Sequence, residues 1–357
     1  MSFPQSLTDL ACFGIRERMF PGCVGYASRR GEVLFHEALG STTYDAETGR
    51  PVQEGDLFDL ASLTKLYTAA VVLRLAERGV VRLGERVSRY VPEVEGGWTI
   101  EDLLAHRTGA TSDLLGEAVR AGIRPCEAGQ EAALWGLVFA SRPAVELAKG
   151  ESHYSDVDFL LAQAACERAT GRRLDKLLAA EVLEPLGLRD TCFRPPDPAR
   201  CVPTEFDSRW RRRLVVGEVH DEVAATLGGV AGHAGLFATA ADVGRFCQAW
   251  LAGRQTPAAA LLPPRVVRRA LRAHSRDFAL GWRRCNESFF PTLARHGAVG
   301  HLGFTGTSAF VFPRSRTAFV LLSNRVHPRR DAAPSRLPLL ARMGEAVAAC
   351  AAAGKPL

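Results

Sequence analysis

Apolar positions near the start of the chain fall in short runs set apart by turn residues. GCVGYAS, the Arg30-Gly31 pair and EVLFHEALG together predict two strands joined as a hairpin. From Leu60 the spacing lengthens to a helical period, first in SLTKLYTAAVVLRLAERG, which Gly79 can stop, then in TIEDLLAHRTG, which Thr99 can cap. Further helical patterns cover residues 127–140, 156–169 before Thr170-Gly171, and 174–183 before Pro185, until FRPPDPARCVP breaks the series. After LVVGEVHD and the glycine-rich LGGVAGHAGLF, a helix is predicted from Thr239 to about Leu251. Two late apolar runs, TSAFVFP and TAFVLLSN, read as antiparallel strands joined near Arg314 to Arg316, and a helix over about 337–352 closes the chain.

Strands at both ends with helices between them predict one sheet assembled from the two termini, packed by terminal helices, with a helical insertion. The expected class is α/β plus all-α. Residues 1–61 and 216–357 would form the α/β lobe and 62–215 the helical lobe, with a binding cleft between them.

Composition adds exclusions. The chain has 357 residues, 47% hydrophobic and 24% charged, and no run of eighteen apolar residues, so neither disorder nor a membrane span is expected. The net charge of +6 comes from arginines spread along the chain, the lysines being only Lys65, Lys149, Lys176 and Lys355. No recognition motif accompanies that charge, so no nucleic-acid partner is expected. The start lacks a basic head and apolar stretch, which points to a cytoplasmic location. Nine cysteines without a C-x-x-C pair read as reduced packing residues.

The chemistry centres on Ser62 and Lys65. A serine hydroxyl needs a base within hydrogen-bond reach, and a spacing of three places both side chains on one face of a helix start. The positive end of that helix would lower the lysine pKa and leave a neutral amine to take the serine proton. In a chain that writes its cations as arginine, position 65 keeps the one basic group able to deprotonate. S-x-x-K alone also fits a capping serine followed by a surface lysine, so downstream residues decide.

Those residues are HYSD, with Tyr154, Ser155 and Asp156, and HLGFTG, with His301, Leu302 and Gly303. Three ordered elements, SLTK within FDLASLTK, YSD at the place of Y-x-N, and HLG at the place of K-T-G, resemble the serine β-lactamase and penicillin-binding-protein superfamily. The likeness is nearest to the class C β-lactamases and their esterase relatives, and spans roughly residues 20 to 330. It implies an acyl-enzyme on Ser62, with Lys65 and Tyr154 moving the proton. It also implies an oxyanion hole from the amides of Ser62 and Phe304, and substrate contacts from Asp156, His301, Leu302 and Gly303. Gly303 would let substrate approach the backbone, and His301 would bring a charge tunable near neutral pH.

Two departures bear on substrate. Asp156 replaces an asparagine, and a carboxylate there favours a charged Lys65. Leu302 replaces a hydrogen-bonding residue, which argues for esters or amides without a matching carboxylate rather than β-lactams or D-alanyl peptides. The expected function is therefore a carboxylesterase-like hydrolase of small molecules, with a β-lactamase, a D-amino-acid peptidase, an acyltransferase and a non-catalytic sensor as the alternatives. No cofactor is required, and nothing in the sequence sets an oligomeric state. Residues 228–235 lack both phosphate-loop signatures and read as a turn beside the cleft. His296 with His301, or His220 with Asp221, lack metal-site spacing, so no metal is expected, and His106 reads as structural.

Overall fold

The computed structural model describes residues 6–251 and 261–353. Its strands are β1 (Gly22–Arg29), β2 (Glu32–Gly40), β3 (Phe58–Asp59), β4 (Thr191–Phe193), β5 (Phe206–Asp207), β6 (Arg213–Leu214), β7 (Leu236–Ala238), β8 (Arg283–Arg284), β9 (Val299–Leu302), β10 (Ser308–Phe312) and β11 (Thr317–Ser323). Six of them form an antiparallel sheet in the order β2-β1-β11-β10-β9-β8. Both termini contribute to it, as expected.

Alternation along the strands builds two cores. Cys23 and Ala27 of β1, with Phe319 and Leu321 of β11, face the helices Leu7–Arg16 and Leu337–Ala353. Val24, Tyr26, Val320 and Leu322 point the other way, into the larger core with helix Ala240–Ala249. A methyl group on Gly244 of that helix would fall 2.1 Å from the Tyr26 ring, so glycine there permits the helix to lie directly on the sheet.

Helix Thr64–Glu77 is buried on every face from Thr64 to Leu73, the mark of a central helix, and it packs against helix Asp156–Thr170. Thr99 caps helix Ile100–Leu104 through a capping box with Asp102. The helix Leu7–Arg16, with its own Ser6/Asp9 capping box, was not legible beside the strand pattern that follows it. The helical series of the 62–215 lobe ends at Leu186, and β4, β5 and β6 follow, with the prolines at 195, 196, 198 and 203 keeping the later part of that passage from forming a helix. β3, β7 and β4 make a small second sheet, and β3 leads straight into Ser62. All nine cysteines are free thiols, and among the described residues no helix is long and apolar enough to cross a membrane.

Candidate active site

Ser62 lies in a single 3-10 turn, Ala61–Leu63, that opens helix Thr64–Glu77. Ala61 takes φ +46°, a left-handed conformation that costs a non-glycine residue energy and occurs where surrounding structure enforces it. The enforcement is visible. The buried Asp59 carboxylate accepts from the amides of Ala61 (2.8 Å) and His220 (2.6 Å), while Thr305 and Thr307 donate to the carbonyls of Asp59 (2.7 Å) and Leu60 (2.9 Å). The serine turn is thereby bolted to the loop that follows β9.

Two donors converge on the Ser62 hydroxyl: Lys65 Nζ at 3.0 Å and Tyr154 Oη at 2.9 Å. Lys65 is fully buried, and its Nζ also meets the His233 carbonyl at 3.2 Å and Asp156 Oδ1 at 2.7 Å. Three acceptors match the three hydrogens of an ammonium group. Burial pulls the Lys65 pKa down, but the Asp156 carboxylate and the Tyr154 phenol outweigh it and hold the amine well above its ordinary value. The expectation of a neutral lysine made by the helix end is therefore corrected: the adjacent carboxylate dominates. Asp156 is held below its ordinary value by Lys65 and, at longer range, His233. It serves Lys65 first, although part of its side chain stays open to solvent.

Behind Tyr154 stands a pair that motif reasoning missed. His106, at φ +52° and fully buried, packs its ring 4.7 Å from that of Tyr154. Its Nδ1 lies 2.7 Å from Asp158 Oδ2 and accepts from the Ser155 amide at 3.3 Å. Burial pushes the imidazole pKa down to about 3 and the Asp158 carboxyl, whose Oδ1 accepts from the Thr108 hydroxyl, well up. A lone histidine and a helical aspartate give no sequence signal for this pairing.

The opposite wall is the end of β9. His301 and Leu302 pair with Ala309 and Ser308, and Gly303 follows the strand. A Cβ on Gly303 would fall 2.0 Å from Thr307 Oγ1 and 2.5 Å from the Leu60 carbonyl. The glycine admits the serine turn, and its backbone also lines the cleft. Gly303→Ala should therefore separate β9 from Ser62 and reduce ester turnover at least tenfold, with a lower melting temperature, read by steady-state kinetics and calorimetry.

His301 is buried, its Nδ1 3.0 Å from the Leu302 carbonyl, and burial with the nearby Lys65 charge takes its pKa down to about 3. Its charge is not tunable near neutral pH, contrary to expectation. An unfolded histidine protonates near pH 6.5, so between about 6.5 and 3 the unfolded chain binds the extra proton. This residue's contribution to stability is complete above about pH 6.5 and is lost as the pH falls toward 3. Denaturant midpoints of wild type and His301→Gln should diverge on acidification, the wild type losing more.

Ser62, Tyr154, His301, Leu302, Gly303 and a half-exposed Phe304 line a cleft of about 540 Å³, completed by Arg283, Phe289, Arg325 and Arg336 among others. These arginines were absent from the sequence reading, since they come from β8 and from the chain after β11. Arg283 stacks over Phe289 at 4.2 Å, and its buried Nε has no acceptor among the described residues.

The 228–235 turn lies behind Lys65, its Gly232 carbonyl accepting from Thr68 at 2.8 Å. His233 Nε2 faces Asp221 Oδ1 at 3.0 Å, whereas His220 pairs with Glu205 (2.7 Å) and His296 adjoins Arg295 (3.3 Å). Asp156, Asp221 and His233 bring potential ligand atoms within 4.8 Å of one another, but Lys65 Nζ already occupies Asp156.

Comparison with known proteins agrees with this geometry. The Beta-lactamase family profile matches residues 14–342. The chain belongs to the beta-lactamase family. Within that family, a protein of Escherichia coli (strain K12) named "Putative D-alanyl-D-alanine carboxypeptidase" is 31% identical over 90% of this chain and 83% of its own. The fold is shared with EstCE1, described as a hydrolase with promiscuous acyltransferase activity, at TM-score 0.76 and 22% identity over 96% of this chain and 97% of that one. It is shared too with simvastatin synthase (LovD) of Aspergillus terreus, at TM-score 0.72 and 22% identity over 96% and 97% of the two chains. The family and its hydrolase-named members place this chain among the serine hydrolases.

Proposed function

We propose that the chain hydrolyses small esters or amides through an acyl-enzyme on Ser62, with carboxylesterase-like preference and weak or no β-lactamase activity. The observation that carries this reading is the convergence of Lys65 and Tyr154 on one serine hydroxyl at 3.0 and 2.9 Å. As Ser62 Oγ attacks the carbonyl carbon, its proton passes to Lys65 in its neutral form, the minority form while the Asp156 carboxylate lies 2.7 Å away. The amides of Ser62 and Phe304 receive the developing oxyanion. Tyr154 delivers a proton to the leaving alcohol or amine, and water then releases the acyl group by the reverse path. Against β-lactams stand Leu302 and Asp156, neither of which can donate a hydrogen bond where the superfamily pattern has a donor.

One observation favours a second reading. Arg283 feels the Asp277 charge but makes no ion pair among the described residues, and it lines the cleft with Tyr154, which suits a substrate with an anionic group, such as a peptide ending in D-alanine. The name of the Escherichia coli relative agrees with it.

The test is labelling by a fluorophosphonate, with the modified peptide mapped, alongside turnover of a p-nitrophenyl ester, a chromogenic cephalosporin and an acyl-D-alanyl-D-alanine peptide. A Ser62 adduct with the ester preferred supports the main reading. Preference for the peptide, lost in Arg283→Ala, establishes the second; no adduct on Ser62 overturns both.

A further inference from the structure

We infer that Arg336 is a positioning residue for the oxyanion hole, its guanidinium polarising the Gly303–Phe304 peptide that supplies one of the two N–H donors in that reading. The inference rests on the Ser62 acyl-enzyme reading and deepens it.

Arg336 is 5% exposed, yet no carboxylate pairs with it among the described residues. Its hydrogen bonds go to three backbone carbonyls: Nη1 donates to Gly306 at 2.7 Å, and Nη2 to Gly303 at 2.9 Å and Thr307 at 3.1 Å. A buried cation without a counter-ion is costly, and a residue that only had to fill this space could be apolar. Burial and the neighbouring Arg325 lower its pKa to about 9, which still leaves it charged at neutral pH.

The choice of carbonyls shows what the charge acts on. The Gly303 carbonyl belongs to the same peptide group as the Phe304 amide. A cation on the oxygen of a peptide draws electron density from its nitrogen and makes the N–H a stronger donor, the polarisation that hydrogen-bond chains share. Arg336 is not the loop's sole tie. The Gly303 amide donates to the Thr307 carbonyl at 2.8 Å, and Thr305 and Thr307 tie the loop to Asp59 and Leu60. Arg325 adds a longer contact, 3.3 Å, to the Phe304 carbonyl in the next peptide.

A merely structural Arg336 would pin the start of helix Leu337–Ala353 to the sheet, and its loss would appear in stability alone. The experiment compares wild type, Arg336→Lys and Arg336→Met, each normalised to fluorophosphonate-titrated sites. It measures kcat and KM for a p-nitrophenyl ester, the inhibition constant of an alkyl boronic acid that adds to serine as a tetrahedral anion, and the melting temperature. Arg336→Met should lower kcat about 10- to 100-fold, somewhat less than removal of an oxyanion donor outright. KM should stay within about twofold and boronate affinity should fall by the same factor as kcat, with Arg336→Lys intermediate. An unchanged kcat per titrated site, a loss confined to KM, or undiminished boronate affinity overturns the inference. Should Arg336→Met fail to fold, Arg336→Lys decides on the same two quantities. A wild-type protein that binds neither fluorophosphonate nor boronate overturns the acyl-enzyme reading itself.

Discussion

Ser62→Ala is expected to lower kcat for a p-nitrophenyl ester by about 10⁴-fold or more, the scale seen when a serine nucleophile is deleted. KM and the melting temperature should change little. The Ser62 oxygen is where the Lys65 ammonium and the Tyr154 phenol meet, so its removal takes away the attacking atom while leaving Lys65 held by Asp156 and the His233 carbonyl. Lys65→Ala is a less specific probe, because it strands the Asp156 carboxylate near Asp221 without its ammonium partner, and breaking such a pair costs about 3–5 kcal/mol. Steady-state kinetics with calorimetry on the same samples separates the two effects. A Ser62→Ala protein that keeps a tenth of wild-type turnover would remove serine chemistry from this site.

Asp156→Asn should act in the opposite direction and raise activity at neutral pH. Asparagine keeps the size of the side chain and an oxygen for Lys65, but removes the negative charge that holds the amine protonated. Burial, now unopposed by that charge, favours the neutral amine, and loss of an opposite charge at this distance is worth about 1–3 pKa units. The acid limb of kcat/KM should move down by that much. At pH 7, where most of the wild-type lysine is charged, the rate should rise about tenfold or more, since each unit changes the neutral fraction tenfold. The other groups facing this pair, Tyr154, His233 and Asp221, are unchanged in the variant. A pH–rate profile of both proteins decides the matter. A slower variant with an unmoved acid limb would mean that the carboxylate is needed as the final proton acceptor and that its charge does not restrain the lysine.

What the sequence determined by itself was local order and the identity of reactive groups. Short apolar runs bounded by turn residues marked β1, β2, β10 and β11, helical periods marked Thr64–Glu77 and Asp156–Thr170, and the ordered trio SLTK, YSD and HLG marked the members of one site. These signals are legible because side-chain periodicity and a nucleophile's need for a base within reach act over a few residues. The family and the α/β plus all-α class followed from them.

Only the tertiary structure decided how those groups behave. The YSD element hints that a carboxylate opposes the helix end at residue 65, but only the fold sets Asp156, ninety-one positions away, 2.7 Å from the amine and lets its charge win. Gly303 reads as room for substrate, and the fold adds that its missing side chain also makes room for the Leu60 carbonyl. The pairing of His106 with Asp158 behind Tyr154, and the reach of Arg336 to the carbonyls of Gly303, Gly306 and Thr307, have no short-range pattern at all. The physical reason is common to all of them. Protonation states and close approaches depend on the field and the steric space set by neighbours in three dimensions, and those neighbours come from segments whose separation along the chain obeys no period.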